Sequence, residues 1–170
     1  RSDRTGEVAD VSFFYDGSTM TIAGRRNKLY AQAPAPPTLD TAIDCARDRF
    51  GLEAPGADLI YSSAYDVLSQ GALSAAYVGP AIVNGMPTEH IAYREKDLDW
   101  QLWIKDGNDA VPVRYVITTR DVQGAPEFSV EFHDWNTAAQ LPDDLFRFTP
   151  PKDFDRTELL TKGPACAIPK

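Results

Sequence analysis

The chain has 170 residues, 43% hydrophobic and 25% charged, a globular composition that is neither disordered nor fibrous. Asp and Glu outnumber Lys and Arg by 25 to 17, leaving a net charge of −8 with no basic block, which argues against nucleic acid as a partner. No run approaches the ~18 apolar residues of a membrane span; the most apolar stretch, 72–83, is broken by Ser74, Gly79 and Pro80.

The chain opens Arg1-Ser2-Asp3-Arg4, with no signal-like apolar segment, and reaches strand-like sequence almost at once. It is expected to be the later part of a longer protein, folded as a single domain over 1–170. Strand-like sequence from Val8 to Tyr15, the turn pair Asp16-Gly17 and Ser18 to Ala23 read as a hairpin. A short strand, Lys28 to Ala31, is ended by Pro34, Pro36 and Pro37. Thr38 sits where an N-cap belongs, and Leu39, Ile43, Ala46 and Phe50 define one helix face, with Gly51 placed to end it. Arg25-Arg26 closes a hairpin and is expected to be solvated. A second helix is predicted from Ala57 to Ser69, with Ile60, Ala64, Val67 and Leu68 on one face.

The remainder reads as strand. Leu73 to Val83 and Thr88 to Lys96 flank Asn84-Gly85, a type I′ hairpin signal. Asp99 to Lys105 and Val113 to Arg120 flank Asp106-Gly107-Asn108-Asp109, and Gln123-Gly124-Ala125-Pro126 turns the chain into Glu127 to Trp135. Leu145 to Thr149 and a polar tail, 157–170, complete it. Helices grouped in one place beside hairpin-linked strands predict an α+β fold, with one curved antiparallel sheet and two helices on its concave face.

Period-two alternation sorts the faces of that sheet. Trp100, Leu102 and Ile104 share one face, as do Tyr115 and Ile117, and Phe128, Val130 and Phe132. Gln101, Trp103 and Lys105 lie on the opposite side, where Trp103 is expected to be half exposed. Either the two helices fill the apolar face completely or they leave a cavity beneath them.

Asp99-Trp100-Gln101-Leu102-Trp103-Ile104-Lys105, Pro112 to Thr118, Phe132-His133-Asp134-Trp135-Asn136 and Phe146-Arg147-Phe148-Thr149-Pro150-Pro151 occur in this order. Together with Phe14-Tyr15-Asp16-Gly17 and Pro55 to Tyr61, the series resembles an uncharacterised family of predicted periplasmic proteins from Gram-negative bacteria, over about residues 11–153. At fold level that family is similar to the lipoprotein carriers LolA and LolB and the sensor domain of RseB. The resemblance implies an unclosed β-barrel plugged by helices and a periplasmic location. It also implies a longer precursor whose signal peptide, first helix and first strands precede this chain. The tail from Thr157 does not match the family pattern.

A fold is a weak warrant for function, which resides in particular residues. No nucleophile elbow, P-loop or dinucleotide-binding motif is present. His133 and Asp134 are adjacent and point to opposite faces of a strand, and His90 has no ligand at metal spacing. No enzyme, cofactor or metal is therefore expected. The acidic residues Glu95, Asp97, Asp99, Asp106, Asp109, Asp143 and Asp144 fall at turns, where they bond their own backbone. The expectation is a carrier that holds an acyl chain or other apolar ligand, lined by Ile60 and Leu68 from the helices and by Leu102, Ile104, Tyr115, Ile117, Val130 and Phe132 from the sheet. Burying about ten methylenes yields roughly 8 kcal/mol gross, less several kcal/mol for association. The alternative is a sensor or protein-interaction domain with a filled core and an envelope protein as partner.

In the oxidising compartment that the resemblance implies, Cys45 and Cys166 are expected to pair, two free thiols being the alternative. Helix phase places Cys45 about 120° from the apolar face and so within reach from outside.

Overall fold

Short polar turns set the strand pairing at the start of the chain. A computed structural model describes residues 1–7, 9–52 and 54–166; Val8, the expected strand start, and 167–170 of the tail lie outside them. Strands β2 (Val11–Tyr15) and β3 (Thr19–Gly24) pair antiparallel. They are joined by Asp16-Gly17-Ser18, where the Asp16 carboxylate accepts from the backbone N–H of Ser18 and of Thr19 at 3.0 and 2.9 Å. That bond is the mechanism by which Asp favours such turns. β4 (Leu29–Pro34) pairs with β3 and runs three residues past the predicted end at Ala31. A proline is tolerated in a terminal strand position, where a missing donor breaks no ladder.

Two compact units divide the chain: residues 1–54 with 139–170, and residues 55–138. The strands form two five-stranded sheets, not one: β1 (Ser2–Arg4), β2, β3, β4 and β10 (Asp155–Thr157) in the first unit, and β5 to β9 in the second. The segment between β4 and β5 carries all the α-helix of the described residues, so no tight turn links these two strands as hairpins link their neighbours. The α+β class stands, and neither sheet closes into a barrel among the described residues.

In the first unit, α1 (Leu39–Phe50) begins at Thr38, whose hydroxyl accepts from the Thr41 N–H. It ends at Gly51, left-handed at φ 62°. The Gly51 N–H returns to the Arg47 carbonyl, the bond of an αL helix ending, and the Leu52 N–H to the Ala46 carbonyl. The buried stripe is Ala42, Cys45, Ala46 and Phe50, packed with Met20 and Ala35. It is rotated from the predicted face: Leu39 is exposed and Cys45 is buried. The tail covers part of this stripe. Leu159 and Cys166 pack against this cluster, and the Lys162 and Gly163 N–H groups donate to the Arg49 carbonyl, one that the helix end would leave unpaired. A disulfide joins Cys45 to Cys166 across a separation of 121 residues, with 5.5 Å between Cα atoms. The tail is thereby strapped along α1, and its earlier residues 155–157 pair in parallel with Leu29–Ala31.

Arg25 and Arg26 are not simply solvated. Arg25 bonds Asp10, Asp3, Ser12 and the Arg4 carbonyl, and Arg26 bonds the Gly6 and Glu7 carbonyls. Together they hold the N-terminal segment against the β2–β3 hairpin.

In the second unit, β5 (Ser74–Val83), β6 (Met86–Arg94), β7 (Leu98–Lys105), β8 (Pro112–Thr119) and β9 (Glu127–Glu131) form an antiparallel meander. Asn84 and Gly85 have φ of 51° and 78°, both positive as a type I′ turn demands. β5 is an edge strand with Tyr77, Val78 and Ile82 exposed. A register shift between Tyr77 and Gly79, with Pro80 beyond it, blunts that edge against further pairing. The predicted helix from Ala57 to Ser69 is two pieces, a 3₁₀ turn, Ala57–Ile60, and α2, Ala64–Ser69. Tyr61 is extended at ψ 150°, and the following Ser62-Ser63 pair favours turns over helix interiors. β9 stops at Glu131, short of the predicted Trp135, because Asp134 is left-handed at φ 56°.

Gly163 sits where a Cβ would lie 2.1 Å from the Asp48 carbonyl oxygen, a backbone atom that cannot move aside alone. Gly163→Ala should lift the tail from α1 and cost roughly 1–3 kcal/mol in urea unfolding. Hydrogen exchange should quicken at 159–166. Unchanged stability and exchange would contradict the strap.

Candidate functional site

Cross-strand register in the second unit gathers apolar side chains onto one face. Ile91, Leu102, Tyr115 and Val130 stand opposite one another across β6–β9, and Tyr93, Trp100, Ile117 and Phe128 form the neighbouring row. Cross-strand pairs of this kind are the unit of sheet stabilisation. The Tyr93 and Trp100 rings stack at 4.1 Å with planes 6° apart, and Tyr115 meets Trp100 edge-on at 6.1 Å. The centre is tightly packed: Trp100 is 3%, Leu102 5% and Tyr115 2% exposed.

Leu68 of α2 is buried in this cluster, and Leu59 of the 3₁₀ turn packs on its margin. The cover over the face is thus a four-residue turn and a six-residue helix, neither with a side-chain cap. Of the sequence-selected residues, Leu68, Leu102 and Tyr115 are in the buried cluster, and Ile104, Ile117, Val130 and Phe132 pack partly buried around it. Ile60 is not among them. It is 56% exposed, because the 3₁₀ turn presents Leu59 where a continuous α-helix would have presented its neighbour. Ile91, Tyr93 and Leu98 also belong to the face. The alternation His90-Ile91-Ala92-Tyr93 was the signal for two of them.

Polar groups hold the rim. The Trp100 indole N–H donates to Glu95 at 3.1 Å, and Glu95 lies so close to Gly71, just past α2, that a Cβ there would meet Oε2 at 2.7 Å. Burial pushes the Tyr115 phenol far above its ordinary value, and the charges of Asp58 and Glu95 push it the same way; it is a neutral hydroxyl at any physiological pH. A shallow cleft of about 240 Å³ opens where Ala75, Tyr93 and Trp100 meet the strand ends.

On the opposite face His90 stacks on Trp103 at 4.0 Å, and the Arg114 guanidinium lies 5.1 Å from the same ring. His90 also bonds Gln101 at 3.0 Å. Trp103 is half-buried between these neighbours, its face accounted for by the stack. His133 is exposed, 3.8 Å from Glu131. Trp135 is 49% exposed and donates to the Pro112 carbonyl at 2.7 Å. Among the described residues no three His, Cys, Asp or Glu side chains come together as metal ligands, and no helix is long and apolar enough to cross a membrane.

The architecture defines an α+β protein of two mainly antiparallel sheets, one bearing an aromatic face under a thin helical cover. The chain belongs to the family described as "Predicted periplasmic protein (DUF2092)", which it matches over residues 1–160. The family places it in the periplasm. No curated protein matches the chain.

At the end of the sheet that carries Glu95, Asp99 takes two bonds from Arg94, at 3.0 and 2.9 Å, and an ion pair from Arg120 at 3.0 Å. The Arg94 bonds, then the charges of Arg120 and Arg94, outweigh partial desolvation and hold its carboxyl below the usual carboxylate range. A depressed carboxyl contributes stability above its unfolded pKa, about 4, and loses it as pH falls through the folded value. Melting temperature should therefore drop as pH is lowered below about 4, and Asp99→Asn should flatten part of that acid limb while leaving neutral-pH melting slightly lower. An identical acid limb in the variant would contradict this assignment.

Proposed function

We propose that the protein is a non-catalytic periplasmic binder of an apolar chain, such as the acyl chain of a lipid or lipoprotein, held on the aromatic face of β6–β9. The observation that carries this reading is the mismatch between face and cover. A broad face of Ile91, Tyr93, Leu98, Ile104, Ile117, Val130 and Phe132 is only partly buried, beneath a cover that buries a single side chain, Leu68. Aliphatic and aromatic side chains bind by burial alone, at ~0.8 kcal/mol per methylene removed from water. In this mechanism the 3₁₀ turn and α2 act as a displaceable cover, and an acyl chain takes the contacts that Leu59 and Leu68 now make.

One observation favours a second reading. Trp100, Leu102 and Tyr115 are as buried as an ordinary core, which suits a sensor or interaction domain whose partner is an envelope protein. Cavity formation separates the two.

Mass spectrometry of lipid extracts from the purified protein, with displacement of a fluorescent fatty acid, tests the first reading. Ile117→Ala should weaken the fatty acid roughly tenfold, from the methylenes it removes, and cost about 1–2 kcal/mol of stability, less than a fully buried site because Ile117 is half-buried. Absence of bound lipid, with no displacement at high micromolar ligand, would leave the interaction-domain reading standing.

A further inference from the structure

We propose that the first unit carries a separate binding groove for an oxyanion, a phosphate or carboxylate, borne on a short apolar group and held by Arg49 and Arg156. The groove opens where β4 outruns its partner: β10 pairs only with Leu29–Ala31, and Gln32, Ala33 and Pro34 line the gap beyond. Its volume is about 710 Å³, within the ~300–1,000 Å³ range of small-molecule sites. The opposite wall is the tail segment from Arg156 to Thr161, fixed by the Cys45–Cys166 bond and by the Lys162 and Gly163 donors. A wall tethered in this way needs little ordering when a ligand arrives.

Arg49 and Arg156 line this space, and among the described residues no ion pair takes either of them. The Arg49 Nε is buried without a hydrogen-bond partner, and its guanidinium is steered over the Phe50 ring at 5.5 Å. A buried N–H donor without an acceptor is costly, and a planar guanidinium fork suits a phosphate or carboxylate. Phe50 and Leu159, both in the groove wall and both packed in the α1 cluster, offer an apolar footing beside the charge. Glu158 also lines the groove and opposes an anion, so its sign makes a test. The groove lies in the first unit and owes nothing to the acyl-chain reading of the second.

The test titrates the whole chain with inorganic phosphate and with octyl phosphate, following the Arg49 Nε–H resonance by NMR, with octanol as the uncharged control. Saturable shifts with octyl phosphate, weaker with phosphate alone, are expected. Comparable saturation by both anions would make the ligand a free oxyanion, still held by the two arginines. Arg156→Gln, at an exposed position that leaves folding intact, should weaken binding about tenfold, the loss expected for one charge-assisted contact. Glu158→Gln should tighten it, which no structural role of that residue would do. Absence of a saturable shift with either anion, octanol binding as tightly as octyl phosphate, or unchanged affinity in Arg156→Gln would overturn the proposal.

Discussion

An antiparallel sheet tolerates water on one face only when that face is polar, and the face of β6–β9 built on Trp100, Leu102 and Tyr115 is not. Its need for cover organises the second unit. The 3₁₀ turn and α2 exist as folded pieces because Leu59 and Leu68 have this surface to meet; a six-residue helix has no stability of its own in water. The rim is then locked by Glu95, which takes the Trp100 indole proton on one side and abuts Gly71 on the other. A cover that depends on the surface it hides is also the element most readily exchanged for another apolar group. Fold and proposed function therefore draw on the same contacts.

The first unit solves its packing differently. α1 buries mostly small side chains, Ala42, Cys45 and Ala46, around Phe50, so part of its flank is finished by a segment more than a hundred residues away. The disulfide fixes that segment, and in a chain-entropy account closing so long a loop stabilises by ~2–5 kcal/mol. The periplasmic setting of the family is one in which such a bond persists. The same strap builds one wall of the groove that holds Arg49 and Arg156.

What the sequence revealed was local. Asn84-Gly85, Asp16-Gly17, Thr38 and Gly51 each act through their own backbone within a few residues, and each sits in the turn or cap that its chemistry demands. Period-two alternation likewise placed Leu102, Tyr115 and Val130 on one face, because the pleat alone decides it. What remained hidden was long-range. The division into two sheets follows the helical segment between β4 and β5, and the parallel pairing of 155–157 with β4 and the burial of Cys45 involve the distant tail. Ile60 was misplaced for a subtler reason: a 3₁₀ turn and an α-helix share composition but not angular phase, so Leu59 faces the sheet in its stead.

In the proposed mechanism the cover formed by residues 57–69 competes with an apolar ligand for one face. Hydrogen exchange of the chain with and without a saturating medium-chain fatty acid tests this competition directly. The account predicts that exchange in 57–69 quickens when ligand binds, while β7 and β8 beneath stay protected or become more so. Unaltered exchange in 57–69 with fatty acid present, or ligand protection confined to the first unit, would contradict it.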